Sequence, residues 1–205
     1  MLKRESVPSH TLELLEKLSG VAFSNGFYLA GGTALALRFG HRLSVDLDFF
    51  KNGEFSVHDV IAMVSLVSDE IRVVNRSEYS VAMIVDRTKV EFLRYDYKEL
   101  EPVEEIEGVY LSSFLDNSLM KLSAVTGRGA KKDFCDLVEI LQRSTIEDLL
   151  SQFSQKYPQT DPFIVLKSIT WFEDAELDPD PVFLTEQNWS AVKKGIIDAV
   201  RHSGE

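Results

Sequence analysis

The chain has 205 residues, 44% of them hydrophobic, with 33 acidic against 22 basic side chains and a net charge of −11. That length and balance suit one compact domain with a real core, and the negative field argues against non-specific coating of nucleic acid. A single cysteine, Cys135, excludes an intramolecular disulfide and a cysteine-based zinc site.

The chain has neither the apolar stretch of a signal peptide nor a membrane-length apolar run, so a cytoplasmic protein without membrane attachment is expected. Residues 10–24 set Leu12, Leu15, Leu18 and Ala22 on one helical stripe. The strand "FYLA" (27–30) runs into Gly31-Gly32, where Thr33 is placed to cap a helix that Gly40 ends. "LSVDLDFF" (43–50) reads as the second strand, and Ser56 as the cap of a helix after the Asn52-Gly53 turn. Three strands follow at 71–77, 80–86 and 88–95, the outer two alternating and the middle one buried on both sides.

Residues 99–111, with Pro102, Gly108 and five glutamates, read as a solvated connection with at most one edge strand. Beyond Ser112 the period becomes helical: two amphipathic helices joined by Gly127-Arg128-Gly129, then segments near 145–156, 161–173 and 188–202. The expected fold is α+β. A mixed sheet with flanking helices occupies residues 1–111, and a helical bundle in 112–205 completes a cleft.

Asp46 and Asp48 stand two residues apart on a strand, hence on one face about 6–7 Å apart. Two carboxylates so placed repel each other and resist desolvation, which suits a hard cation such as Mg²⁺, although a solvated edge strand would also tolerate them. Glu91 in the apolar "TKVEFL" offers a third acid, for the metal or for an attacking hydroxyl's proton, and Lys89 shares its face. A cross-strand ion pair is the plain alternative for Glu91. Gly31-Gly32-Thr33, at a strand-to-helix turn, would let a phosphate approach free N–H groups, or would merely make the turn tight. Lys121, in an apolar helix, suits outer phosphates if it faces the acids, and otherwise sits in solvent. His41 reads as a solvated loop histidine, Cys135 as core, and Trp171, Phe172 and Trp189 as anchors of the last helices, with an exposed aromatic pair there a candidate partner surface. Arg128, Lys131 and Lys132 form the one obvious basic cluster.

"LAGGTALAL…HRLSVDLDFF" resembles the amino-terminal motif of the AbiEii/AbiGii nucleotidyltransferase toxins, within the DNA polymerase β-like superfamily. Further motifs follow in order: Lys89-Val90-Glu91, Lys121 in "LMKLSAV", and Lys132-Asp133-Phe134-Cys135-Asp136-Leu137. The resemblance spans residues 27–140. Lys132 replaces a more usual arginine, and Glu91 a more usual aspartate.

The resemblance implies Mg²⁺-dependent transfer of NMP from an NTP to an acceptor, RNA such as tRNA or a protein, by the toxin-like member of a type IV toxin–antitoxin or abortive-infection pair. It implies metal binding by Asp46, Asp48 and Glu91, with Lys121 and Asp136 completing the catalytic set. Gly31, Gly32, Thr33, Arg42, Ser44 and Lys89 would contact the nucleotide, and an antitoxin would be the partner. Asp136 would orient Lys121 or reach the nucleobase side. Two alternatives differ in class: a catalytically silent nucleotide- or partner-binding module of the same fold, and a small-molecule nucleotidyltransferase of the antibiotic-modifying kind.

Overall fold

The computed structural model describes residues 1–202. Helix α1 (Ser9–Ser24) precedes a two-residue strand β1 (Tyr28–Leu29), helix α2 (Gly31–Phe39), strand β2 (Leu47–Lys51) and helix α3 (Val57–Val64). Strands β3 (Ile71–Arg76), β4 (Ser80–Val85), β5 (Thr88–Arg94), β6 (Glu104–Ile106) and β7 (Val109–Leu111) complete one seven-stranded sheet. Its order is β3-β4-β5-β2-β1-β7-β6. The β2–β5 and β1–β7 pairs are parallel and the others antiparallel. Helices α4 (Phe114–Gly127), α5 (Lys131–Leu141), α6 (Ile146–Lys156), α7 (Pro162–Ile169) and α8 (Trp189–His202) form the helical half. The α+β class expected from the sequence is the one observed.

Apolar side chains segregate into two cores. One packs α1 and α3 under the sheet, through Leu14, Leu15, Leu18, Phe49 and Phe92. The other lies among α4–α8, through Leu119, Leu122, Phe134, Leu137 and Ile196. Burial of each such side chain contributes roughly 1.5–3 kcal/mol. Helix α2 serves both, sending Leu37 to the first and Leu35 to the second. It is therefore the joint between the halves, and its first turn is fixed from both sides.

Several elements depart from expectation for local reasons. Strand β2 begins only at Leu47, leaving Asp46 just before the ladder. The segment before it is drawn off the sheet, because Leu43 N–H donates to Val182 (2.8 Å) and Ser44 N–H to Ser6 (2.8 Å). Helix α2 starts at Gly31 with Ala30 as its N-cap, so Thr33 lies inside the first turn and does not cap it. Gly40 does close it, in the left-handed conformation at φ +68°. Strand β3 is an exposed edge beyond Ile71, where alternation was expected. Residues 104–111 form a hairpin and not a bare connection. Glu107 and Gly108 both take positive φ as a tight two-residue turn requires, and Val109 and Leu111 point inward.

A strap before α8 crosses back to the sheet half. Leu184 N–H donates to His41 (3.0 Å), Phe183 bridges to Arg42, and Lys131 Nζ holds Asp180 (2.9 Å) and the Asp178 carbonyl (2.7 Å).

Candidate active site

Asp48 and Glu91 are direct register partners on the parallel strands β2 and β5. Parallel neighbours in register present their side chains to the same face, with backbones about 4.8 Å apart. On the other side of β5, Glu91 faces the small Ala82 of β4, which leaves its carboxylate room. Asp46 enters the same cleft from just before β2.

Gly31 backs directly onto this row. Its φ is +67°, and a Cβ added there would lie 3.4 Å from Asp48 Oδ2. Its peptide is clamped by Asn117 of α4, whose Oδ1 accepts from Gly31 N–H (2.9 Å) and whose Nδ2 donates to Gly31 C=O (3.2 Å). The next N–H groups of this turn, on Gly32 and Thr33, have no acceptor within the helix.

The acids are under-compensated. Burial pushes the Asp48 carboxyl above its usual range, the charges of Asp46 and Glu91 push it further, and Lys89 and Lys132 offset this only in part. Lys89 sits 3.6 Å from Glu91 and is about half exposed, so it holds that acid loosely. Among the described residues, no three His, Cys, Asp or Glu side chains are gathered tightly enough to hold a metal unaided.

The opposite wall is over-compensated. Asp136 of α5 is fully buried and accepts from Arg42 Nε (2.7 Å), Arg42 Nη2 (2.8 Å) and His41 Nε2 (2.7 Å). Lys121 Nζ reaches both Asp136 Oδ2 and Asp133 Oδ1 at 2.8 Å, and Arg128 Nε donates to Asp133 Oδ2 (2.8 Å). Burial alone would raise these acids. The charges of Arg42 and Lys121 instead hold Asp136 well below the usual range, and Arg128 and Lys121 bring Asp133 down to about 2.

Between the walls lies a cleft of about 310 Å³. Gly31, Gly32, Asp46, Asp48, Lys89, Glu91 and Lys121 all border it, with Arg128 and Lys132 as further cations and Phe50, Tyr95 and Met120 at an apolar end. Other expected nucleotide contacts sit elsewhere. Arg42 is buried and bound to Asp136, because Gly32 leaves room for its guanidinium where any Cβ would clash. Thr33 and Ser44 are buried too. Their hydroxyls bond each other (2.8 Å), and Thr33 also holds the Asp46 carbonyl, so they brace the acid-bearing turn and do not line the cleft.

His41, expected in solvent, is fully buried on Asp136, and Lys131 leaves the expected basic cluster for Asp178 and Asp180. Asn117 and Asp133 carry structural roles that the sequence reading missed. An asparagine mid-helix has no spacing signal, whereas the charge of Asp133 within "KKDFCD" was available to be read.

A parallel strand pair carrying acids, a glycine helix start against them and a cationic helical wall define the nucleotidyltransferase class. Residues 13–202 match the family described as "Nucleotidyl transferase AbiEii toxin, Type IV TA system". The chain belongs to this AbiEii family and is a nucleotidyltransferase by descent. It is 36% identical over 169 residues to an uncharacterized protein of Aquifex aeolicus, covering 80% of this chain and 82% of that one. Its fold is similar to JHP933 from Helicobacter pylori (TM-score 0.61, 16% identity, 96% and 93% of the two chains). It is similar also to MenT4, a nucleotidyltransferase toxin of Mycobacterium tuberculosis (TM-score 0.59, 14% identity, 94% and 84%).

Proposed function

We propose that this chain transfers a nucleoside monophosphate from an NTP to a hydroxyl of a macromolecular acceptor, as the toxin-like member of a toxin–antitoxin pair. The observation that carries the reading is the register pairing of Asp48 with Glu91 beside Gly31, with Asp48 raised and short of cationic partners. A carboxylate row in that condition is built for a cation that arrives with the substrate. The donor set is all oxygen, which fits Mg²⁺. That ion takes one or two carboxylates and completes its shell with water and phosphate, consistent with an acid row too open to hold a metal unaided.

Shared among Asp46, Asp48 and Glu91, two Mg²⁺ ions would supply charge neutralisation for the triphosphate and a more acidic acceptor hydroxyl. The chain's own residues do the rest. The N–H group of Gly32 holds a phosphate oxygen at the start of α2. Lys132, which has no carboxylate partner within ion-pair distance among the described residues, and Lys89 and Arg128 take the remaining phosphate charge. The acceptor oxygen attacks the α-phosphorus, the bond to the β-phosphate bridging oxygen breaks, and pyrophosphate leaves. The acceptor's proton passes to Glu91. Lys121 and Asp136 act as positioning residues, since their charges are spent on each other and on Arg42, His41 and Asp133. In this reading residues 1–111 carry the chemistry and residues 112–205 close the cleft.

The test incubates the protein with Mg²⁺, each α-labelled NTP, and pools of RNA and protein, beside Asp48→Asn. Label covalently attached by the wild type and not by the variant is the expected result. NTP binding without transfer to any pool would overturn the enzymatic reading in favour of a silent binding module.

A further inference from the structure

Beside the cleft, on the far side of Arg128, lies a second cavity of about 380 Å³ that the transfer chemistry leaves unused. Its walls come from the end of α4 and the end of α7, with Thr126, Arg128, Lys167, Ser168, Trp171 and Asp174 among its lining. Arg128 lines both spaces, so the two are neighbours on either side of one residue.

Trp171 sets the chemistry of this cavity. Its neighbours Phe172 and Trp189 are spent on Phe134, in ring contacts of 5.1–5.9 Å. The Trp171 indole is 52% exposed and takes part in no ring or cation contact among the described residues. Lys167 ends α7 with an exposed ammonium, and among the described residues no carboxylate lies within ion-pair distance of it. Arg128 gives Nε and Nη2 to Asp133 and keeps the rest of its guanidinium outward, its side chain 61% exposed. An exposed aromatic face that shares one cavity with two cations, in a chain of net charge −11, selects a ligand that is both aromatic and anionic. Asp174 faces the same space and offers an acceptor to a base amino group or a ribose hydroxyl, while repelling a ligand with charge all round.

The geometry points to this cavity as the acceptor subsite, holding one nucleotide of a single-stranded polynucleotide end next to the reacting one. The base stacks on Trp171 and its phosphate lies between Lys167 and Arg128. The volume is of the size that suits one small ligand, about 300–1,000 Å³. The inference rests on the nucleotidyl-transfer reading for its neighbour, and the two are separated by experiment as follows.

A short unstructured RNA oligonucleotide is titrated into the inactive Asp48→Asn protein while indole fluorescence is followed. Quenching is expected, and its loss in the Asp48→Asn/Trp171→Ala double variant. In the active background, Trp171→Ala should raise the acceptor KM about 10- to 100-fold with the KM for NTP unmoved, and Trp171→Phe should recover most of the loss. Lys167→Gln should lower the slope of log affinity against log salt by about 0.7, the share of one single-strand phosphate. A wild type that labels protein alone, or RNA transfer indifferent to Trp171→Ala, would overturn the subsite and leave the enzyme standing. Trp171-dependent quenching in a protein that transfers nothing would overturn the enzyme and with it the acceptor role, leaving a polynucleotide-binding cavity.

Discussion

Asp48 lines the cleft, Asp136 lies buried behind its helical wall, and the two have opposite electrostatic fates. Asp48 sits beside two more acids, and its carboxyl is pushed up; Asp136 is gripped by Arg42, His41 and Lys121, and its carboxyl is held far down. Asp136 is fully buried and Asp48 half-buried on the cleft, yet burial raises both carboxyls and so does not account for their opposite outcomes. The partners do. A buried charge whose neighbours neutralise it is structure, and one whose neighbours aggravate it is a candidate for function.

The largest expected break in this contrast comes from Asp136→Ala. It strands a guanidinium and an ammonium beneath the cleft, and removing one member of a buried ionic group costs about 3–5 kcal/mol. Urea unfolding should show a sharply lower midpoint. An unchanged midpoint would mean that the Asp136 cluster does not hold the halves together.

Acid comes next. The Asp133 carboxyl is depressed to about 2, against about 3.9 unfolded, and Asp136 is likewise held well below its usual range. Their contribution is therefore complete above pH ~4 and is lost as pH falls through the folded values, with Asp133 alone accounting for about 2 kcal/mol. Asp48 has the reverse sign, its cost growing as pH rises from about 3.9 through its raised folded value. Asp48→Asn should accordingly gain stability near neutrality and leave the acid limb below pH ~4 intact. Equilibrium unfolding across pH on both proteins reads the difference.

The smallest effect is that of the ion itself. With Mg²⁺ at ten times its Kd, binding to the native state adds about 1.4 kcal/mol, or roughly 3–6 °C in Tm for a chain of this size. Asp48→Asn should show no such rise. An equal rise in both would place the ion somewhere other than the acid row.

The acid row was legible because strand alternation and a glycine turn are local signals. Asp46-x-Asp48 and Glu91 each declare themselves as charges inside apolar runs, and the parallel pairing of β2 with β5 does the rest. The opposite wall was legible only in part. Lys121 and Asp136 stood out as charges on apolar helices, but His41 read as a solvated loop histidine and Arg42 as a nucleotide contact, because their partner lies 95 and 94 positions away. Thr33 carried a capping signal that the fold overrode, since a helix starting at Gly31 frees its hydroxyl for Ser44 and Asp46. The β6–β7 hairpin hid behind its glutamates, whose outward face is what an edge strand shows to water.

The strap at 178–184 has a consequence for the order of events at the ribosome. The backbone that delivers Asp46 is pinned by Val182, and the residues gripping Asp136 are stitched to Phe183 and Leu184. A nascent chain that has exposed every acid and every lysine of the cleft still lacks those last stitches. Competence therefore waits for the strap, and a fragment stopped short of it would carry all the chemistry without this part of its alignment.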